Sequence, residues 1–126
     1  MKAAWFEKFG SAEQVMQIGE QPKPLAEPGQ TVVKLAASGV NPSDVKKRAG
    51  ASPNLLDQGL VIPHSDGAGI IESVGSDVSE DRLGERVWVY QAQYGRRLGT
   101  AAEYVAVGSN RAVMLPDNTD FPIGAC

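Results

Sequence analysis

The residues of this chain best equipped for chemistry fall in two short polar clusters, Val40-Asn-Pro-Ser-Asp-Val-Lys-Lys47 and Pro63-His-Ser-Asp-Gly-Ala-Gly69. In the first, Asn41 offers two amide donors and an acceptor, Asp44 offers only acceptors, and Ser43 and Lys46 add a hydroxyl and an ammonium. The second cluster holds His64, the one histidine of the chain, beside Ser65 and Asp66. Each sits at the end of an apolar, β-branched run, where a small β-domain usually presents side chains to a ligand. This is hydrogen-bonding and electrostatic chemistry. The single cysteine, Cys126, is the last residue, so neither an internal disulfide nor a cysteine-based zinc cluster can form within one chain.

Structural roles account for the first cluster equally well. Pro42 suits the first position of a helix, where its missing N–H has no partner to lose, and Asn41 then becomes the N-cap. The pattern predicts a helix from Pro42 to about Ala49, closed by Gly50, with Ser43 and Asp44 in its first turn and Lys46, Lys47 and Arg48 toward its last. Those charges complement the helix dipole.

The elements that must position these clusters read as strands. Fourteen glycines and eight prolines punctuate short apolar runs, which favours a mostly β fold with short helices, a barrel or sandwich, over a helical bundle. Strands are predicted near Lys2 to Phe6, Val15 to Glu20, Thr31 to Ser38, Gly69 to Val74, Arg86 to Tyr90, Ala102 to Val107 and Ala112 to Leu115. Val87 and Val89 should point one way and Trp88 the other. Glu27-Pro-Gly-Gln30 carries the residues of a turn. Trp5, Phe6, Trp88 and Tyr104 lie in strand patterns and read as packing residues. Asp66-Gly-Ala-Gly-Ile-Ile-Glu72 mimics a dinucleotide fingerprint, but Glu72 replaces the third glycine and strand and turn formers follow it. Its glycines instead suit close backbone approach or a bulge in a bent strand.

A chain of 126 residues supports one core, here read as one domain over residues 1–126. Its net charge of −3 includes no basic block that would neutralise a row of phosphates, so nucleic acid is not an expected partner. No apolar run approaches the roughly 20 residues that cross a bilayer, and no membrane partner is expected. Met1-Lys-Ala-Ala-Trp-Phe-Glu7 has charges where a signal peptide would be apolar, and the expectation is a cytoplasmic location. Phe121-Pro-Ile-Gly-Ala-Cys126 reads as the opening of a helix without its continuation, as in a fragment or separately expressed domain.

Gly39-Val-Asn-Pro-Ser-Asp44, Pro63-His-Ser-Asp-Gly-Ala-Gly-Ile-Ile-Glu72 and Gly99-Thr-Ala-Ala-Glu-Tyr104, with Gly84-Glu-Arg-Val87 and Leu115-Pro-Asp117 in order, resemble the medium-chain dehydrogenase/reductase superfamily. The match is best to its zinc-independent quinone oxidoreductase branch. The resemblance implies a GroES-like, partly opened β-barrel forming the N-terminal part of a catalytic domain. The Rossmann domain and C-terminal return of that family are absent from this chain. It also implies NADPH as cofactor, with NADH possible, a quinone or α,β-unsaturated carbonyl as substrate, and a homodimer for the full-length protein. Asn41, Ser43, Asp44 and Lys46 would then contact the cofactor, Asn41 and Lys46 would act in catalysis, and His64, Gln91, Tyr94 and Arg96 would lie on the substrate side. Zinc enzymes of the superfamily carry a cysteine at the place of Asn41 and a histidine at that of Ser65, so no metal is expected. His64 is one residue out of place for a ligand and, in an extended segment, would face the opposite side. Two other readings stay open: a GroES-like structural module without a reaction, and a zinc alcohol dehydrogenase.

Overall fold

The computed structural model describes all residues from Met1 to Cys126. Seven strands and three short α-helices are joined by single turns of tighter or wider helix. The strands are β1 (Lys2–Trp5), β2 (Gln17–Glu20), β3 (Gln30–Gly39), β4 (Asp66–Val74), β5 (Arg86–Val89), β6 (Tyr104–Gly108) and β7 (Ala112–Met114). The helices are α1 (Ala12–Val15), α2 (Pro42–Lys46) and α3 (Phe121–Gly124). β1 and β2 form an antiparallel ribbon, while the other five make one sheet in the order β6-β3-β4-β5-β7. Every pairing is antiparallel, and the sheet curls into the partly opened, GroES-like barrel.

The core follows the alternation of the strands. Val33, Ile71, Val87, Val89, Val105 and Val107 fill the concave face, and Trp88 points outward from β5 to meet Tyr90. A second cluster, Phe6, Val15 and Val61, closes the end where the chain enters. The pairing of β3 with β4 slips twice, between Val32 and Val33, where Glu72 is the extra residue on β4, and between Leu35 and Ala37, where Ala36 is the extra residue on β3. Val32 and Val33 still face opposite sides, because β3 keeps an unbroken register with β6 across them, and both are buried, so β3 is covered on both faces here. Opposite the second slip, a Cβ on Gly69 would lie 2.0 Å from the Lys34 carbonyl oxygen, so only glycine admits this approach of β3 and β4.

Most predicted elements are present, with shifted ends. The run predicted as a strand from Val15 divides instead: Val15 ends the α1 turn and packs on Phe6 and Val61, and the strand begins at Gln17. The helix predicted to Ala49 is α-helical only to Lys46 and then widens into a π-type turn over Lys47–Ala51, ending at Gly50 with φ of 101°. The turn at Glu27 forms as expected, with Gln30 N–H donating to the Glu27 carbonyl and Gly29 at positive φ. No helix is long and apolar enough to cross a membrane.

Candidate functional site

The end of β3, the start of α2 and the start of β4 converge. Asn41 caps α2 in an extended conformation, and its backbone N–H donates to Asp44 Oδ2 at 2.7 Å. Asp44 is 5% exposed, and its other oxygen accepts the backbone N–H of His64 at 3.3 Å. Asp44 therefore ties the cap of α2 to the segment leading into β4. The Asn41 amide reaches across to Asp66 Oδ2 at 2.5 Å, which fixes the plane of the carboxamide. The side-chain oxygen of Asn41 faces the Asp44 backbone N–H in the reciprocal half of this capping box, and one amide N–H remains without a partner in the chain.

His64 has φ of 74°, a left-handed conformation rare for a residue with a side chain. It is not extended, contrary to the sequence-based expectation. Its conformation is held by backbone bonds: Thr100 N–H donates to the His64 carbonyl at 3.0 Å, and Ala101 N–H to that of Pro63 at 3.0 Å. Gly99 runs so close below that a Cβ there would sit 2.0 Å from the His64 oxygen. The side chain turns to β3, where Nδ1 meets Ser38 Oγ at 2.8 Å and Ser38 Oγ meets Thr100 Oγ1 at 2.9 Å.

The protons of this chain of groups can be assigned. Thr100 Oγ1 lies 2.6 Å from the Asp66 carbonyl oxygen, which can only accept, so the Thr100 proton is used there. Ser38 then donates to Thr100, and His64 Nδ1 must carry a proton to donate to Ser38. Burial holds the His64 pKa below its ordinary value of 6.5, against the opposing pull of the Asp44 carboxylate. The resulting species is neutral imidazole with Nδ1 protonated and Nε2 bearing a lone pair.

The predicted site residues therefore separate into three places. Asn41, Asp44 and Asp66 form one bonded cluster; Ser43 and Lys46 are exposed on α2 beside it. Gln91, Tyr94 and Arg96 line an open cleft of about 450 Å³ with Ser65, Gln93 and Lys47. His64 lines a different depression, with Ser38 and Thr100. The sequence carries no sign of a site role for Ser38, Thr100 or Gln93, and Lys47, though part of the first polar cluster, reads there only as a charge near the helix end. A hydroxyl at a strand end and a hydroxyl after a glycine are common, and only the fold brings them to one histidine.

The donor set can be tested against the two groups that the superfamily uses. No three of His, Cys, Asp and Glu come together to hold a metal ion, and the carboxamide and hydroxyl at positions 41 and 65 are weak zinc donors. The free amide N–H of Asn41, the Ser43 hydroxyl and the Lys46 ammonium do suit the amide, hydroxyl and phosphate groups of a nicotinamide dinucleotide.

Residues 27–117 match the family model of the alcohol dehydrogenase GroES-like domain. The chain is 34% identical over 118 residues to the quinone oxidoreductase of Sus scrofa, covering 94% of this chain and 34% of that protein. It is 27% identical over 125 residues to the NADPH-dependent alkenal/one oxidoreductase of Arabidopsis thaliana, covering 96% of this chain and 32% of that protein. Among solved structures, the quinone oxidoreductase from Coxiella burnetii superposes with a TM-score of 0.91 at 26% identity, over 99% of this chain and 40% of that one. The chain thus spans about a third of the length of the curated relatives it matches. It belongs to the alcohol dehydrogenase GroES-like domain family, within the quinone oxidoreductase branch of the medium-chain dehydrogenases/reductases.

Proposed function

We propose that this chain is the catalytic-domain portion of a zinc-independent, NADPH-preferring oxidoreductase that reduces quinones or enones by direct hydride transfer. The observation that carries this reading is Asn41, its carboxamide held by Asp66 and its backbone N–H by Asp44, near an open cleft lined by Ser65 and Lys47, with one amide N–H still free. The relatives named above support the substrate class and, through the Arabidopsis enzyme, the cofactor.

The nicotinamide, when bound, supplies the hydride. What this chain supplies is orientation and electrostatics. A quinone or enone spreads the incoming negative charge onto a distant oxygen, which asks for a fixed donor rather than a Lewis acid. The free N–H of Asn41 meets that need at no cost in reorganisation, because Asp66 already holds the amide. Lys46, exposed and unpaired, adds a cation for a cofactor phosphate or for the same oxygen. Ser43 offers a hydroxyl on the next residue but one. Asp44 acts through its neighbours as a positioning residue, since both of its oxygens bind backbone.

The whole protein that carries this chain tests the reading. It should oxidise NADPH when given 1,4-naphthoquinone or a simple enone, and elemental analysis should find no stoichiometric zinc. Absence of NADPH oxidation with either acceptor, or a full equivalent of zinc, would overturn it.

A further inference from the structure

The cleft beside the Asn41 cluster has a charge pattern that narrows the substrate, an inference that rests on the function proposed above. Three cations line it, Lys47, Arg96 and Arg97, together with amides and hydroxyls, and no Asp or Glu does. That distribution is uneven for a chain whose net charge is −3. Leu55 and Tyr94 are its only hydrophobic residues, and the rest of its apolar surface is the carbon of polar side chains that carry donors and acceptors at their ends. A wholly apolar ring system could lie on that carbon but would strip water from the polar ends without replacing the lost hydrogen bonds.

The cations are not equivalent. Lys47 Nζ donates to Gln93 Oε1 at 3.3 Å, and Arg97 donates to the Leu60 carbonyl at 2.8 Å. Both acceptors are neutral, so both charges persist. Arg96 is half-buried, yet its guanidinium makes neither a hydrogen bond nor an ion pair within the chain. Arg111 lies near it, fixed by a bond to the Gln91 carbonyl at 2.9 Å and placed over the Tyr94 ring at 5.6 Å. Burial and that second guanidinium weaken the hold of Arg96 on its proton, and Glu27, the carboxylate that counteracts them, is not in contact with it. Two guanidiniums near each other, one of them unpaired and partly out of water, repel unless an anion comes between them.

We propose that the cleft receives a quinone or enone that carries its own anionic group, a carboxylate, sulfonate or phosphate, and that Arg96 grips this group with Lys47 in support. Ser65 lines the same cleft and precedes Asp66, the partner of the Asn41 amide, so the reducible carbonyl and the anion have separate places along one molecule. Arg96 thereby sets specificity and takes no part in the transfer of hydride.

The test is equilibrium binding to the whole protein, measured by calorimetry without turnover, for 1,4-naphthoquinone-2-sulfonate and uncharged 1,4-naphthoquinone. The sulfonate should bind about tenfold more tightly at low salt, with the advantage shrinking as salt rises. Arg96→Gln should reduce the advantage to about twofold, and Arg96→Lys should keep part of it. Thermal unfolding verifies that the variants are folded; if Arg96→Gln is not, Lys47→Gln must narrow the same gap. Equal affinities in the wild type, or a gap that survives Arg96→Gln, overturns the proposal. So does a variant that loses affinity for NADPH and not for the sulfonate, since Arg96 would then serve the cofactor. NADPH-driven reduction of the uncharged quinone with no preference for the sulfonate would leave the proposed function standing and this inference overturned. Preferred binding of the sulfonate with no NADPH oxidation would do the reverse.

Discussion

Two polar regions lie close together in this molecule and are built in opposite ways. Around Asp44, both carboxylate oxygens are taken up by other parts of the chain, and cap, β4 approach and carboxamide are tied into one unit. Around Arg96, charged and amide groups stand in an open cleft with few partners among themselves. The first arrangement is stiff and supplies geometry; the second is soft and leaves interaction energy for something that arrives. A site needs both, because binding energy is useful only where a rigid neighbour fixes what is bound.

Substitution can break this contrast. Asp44→Ala should have the largest effect, removing the buried acceptor of two backbone N–H groups at a cost of about 2–3 kcal/mol. Urea unfolding measures it, and a loss near zero would mean that the cluster is not the rigid partner. A smaller effect should come from acid. His64 binds its proton less readily folded than unfolded, so the unfolded chain takes up more protons below pH 6.5. Stability contributed by neutral His64 is therefore complete above pH 6.5 and declines as pH falls through the window between 6.5 and the lower folded value. A nitrogen-detected titration of this chain's one histidine should give a midpoint below 6.5 with Nδ1 protonated in the neutral form. Ser38→Ala should mix the tautomers. The smallest effect is expected at the cleft, where Arg96→Gln should shift unfolding by no more than about 0.5 kcal/mol. A large loss there would show that the cleft is braced by its own cation after all.

Much of this architecture was legible in the sequence, and the limits are physical. Alternation placed Val87 and Val89 inside and Trp88 outside, because a half-buried strand leaves a period of two in its residue types. Pro42 after Asn41 marked the start of α2 for an equally local reason, as did Pro28 and Gly29 for their turn. Val15 was misplaced because one helical turn is too short to show a period, and its fate was decided by Phe6 and Val61. His64 was misread as extended because its left-handed backbone is imposed by a segment 36 residues later, through bonds from Thr100 and Ala101. The same holds for its partners: Ser38 and Thr100 stand 26 and 36 positions away in sequence, and no local pattern links them.

The second slip in the pairing of β3 leaves Ala36 without a counterpart on β4, between Leu35 opposite Gly69 and Ala37 opposite Ala68. That unmatched alanine acts as a phase shifter: it inverts the up-and-down sense of everything after it, and so decides which side of the sheet Ser38 faces. A strand shortened by this one inconspicuous residue would retain its composition and most of its apolar surface. The serine hydroxyl would nonetheless be carried to the far side, and the imidazole would lose the partner that orders its protons.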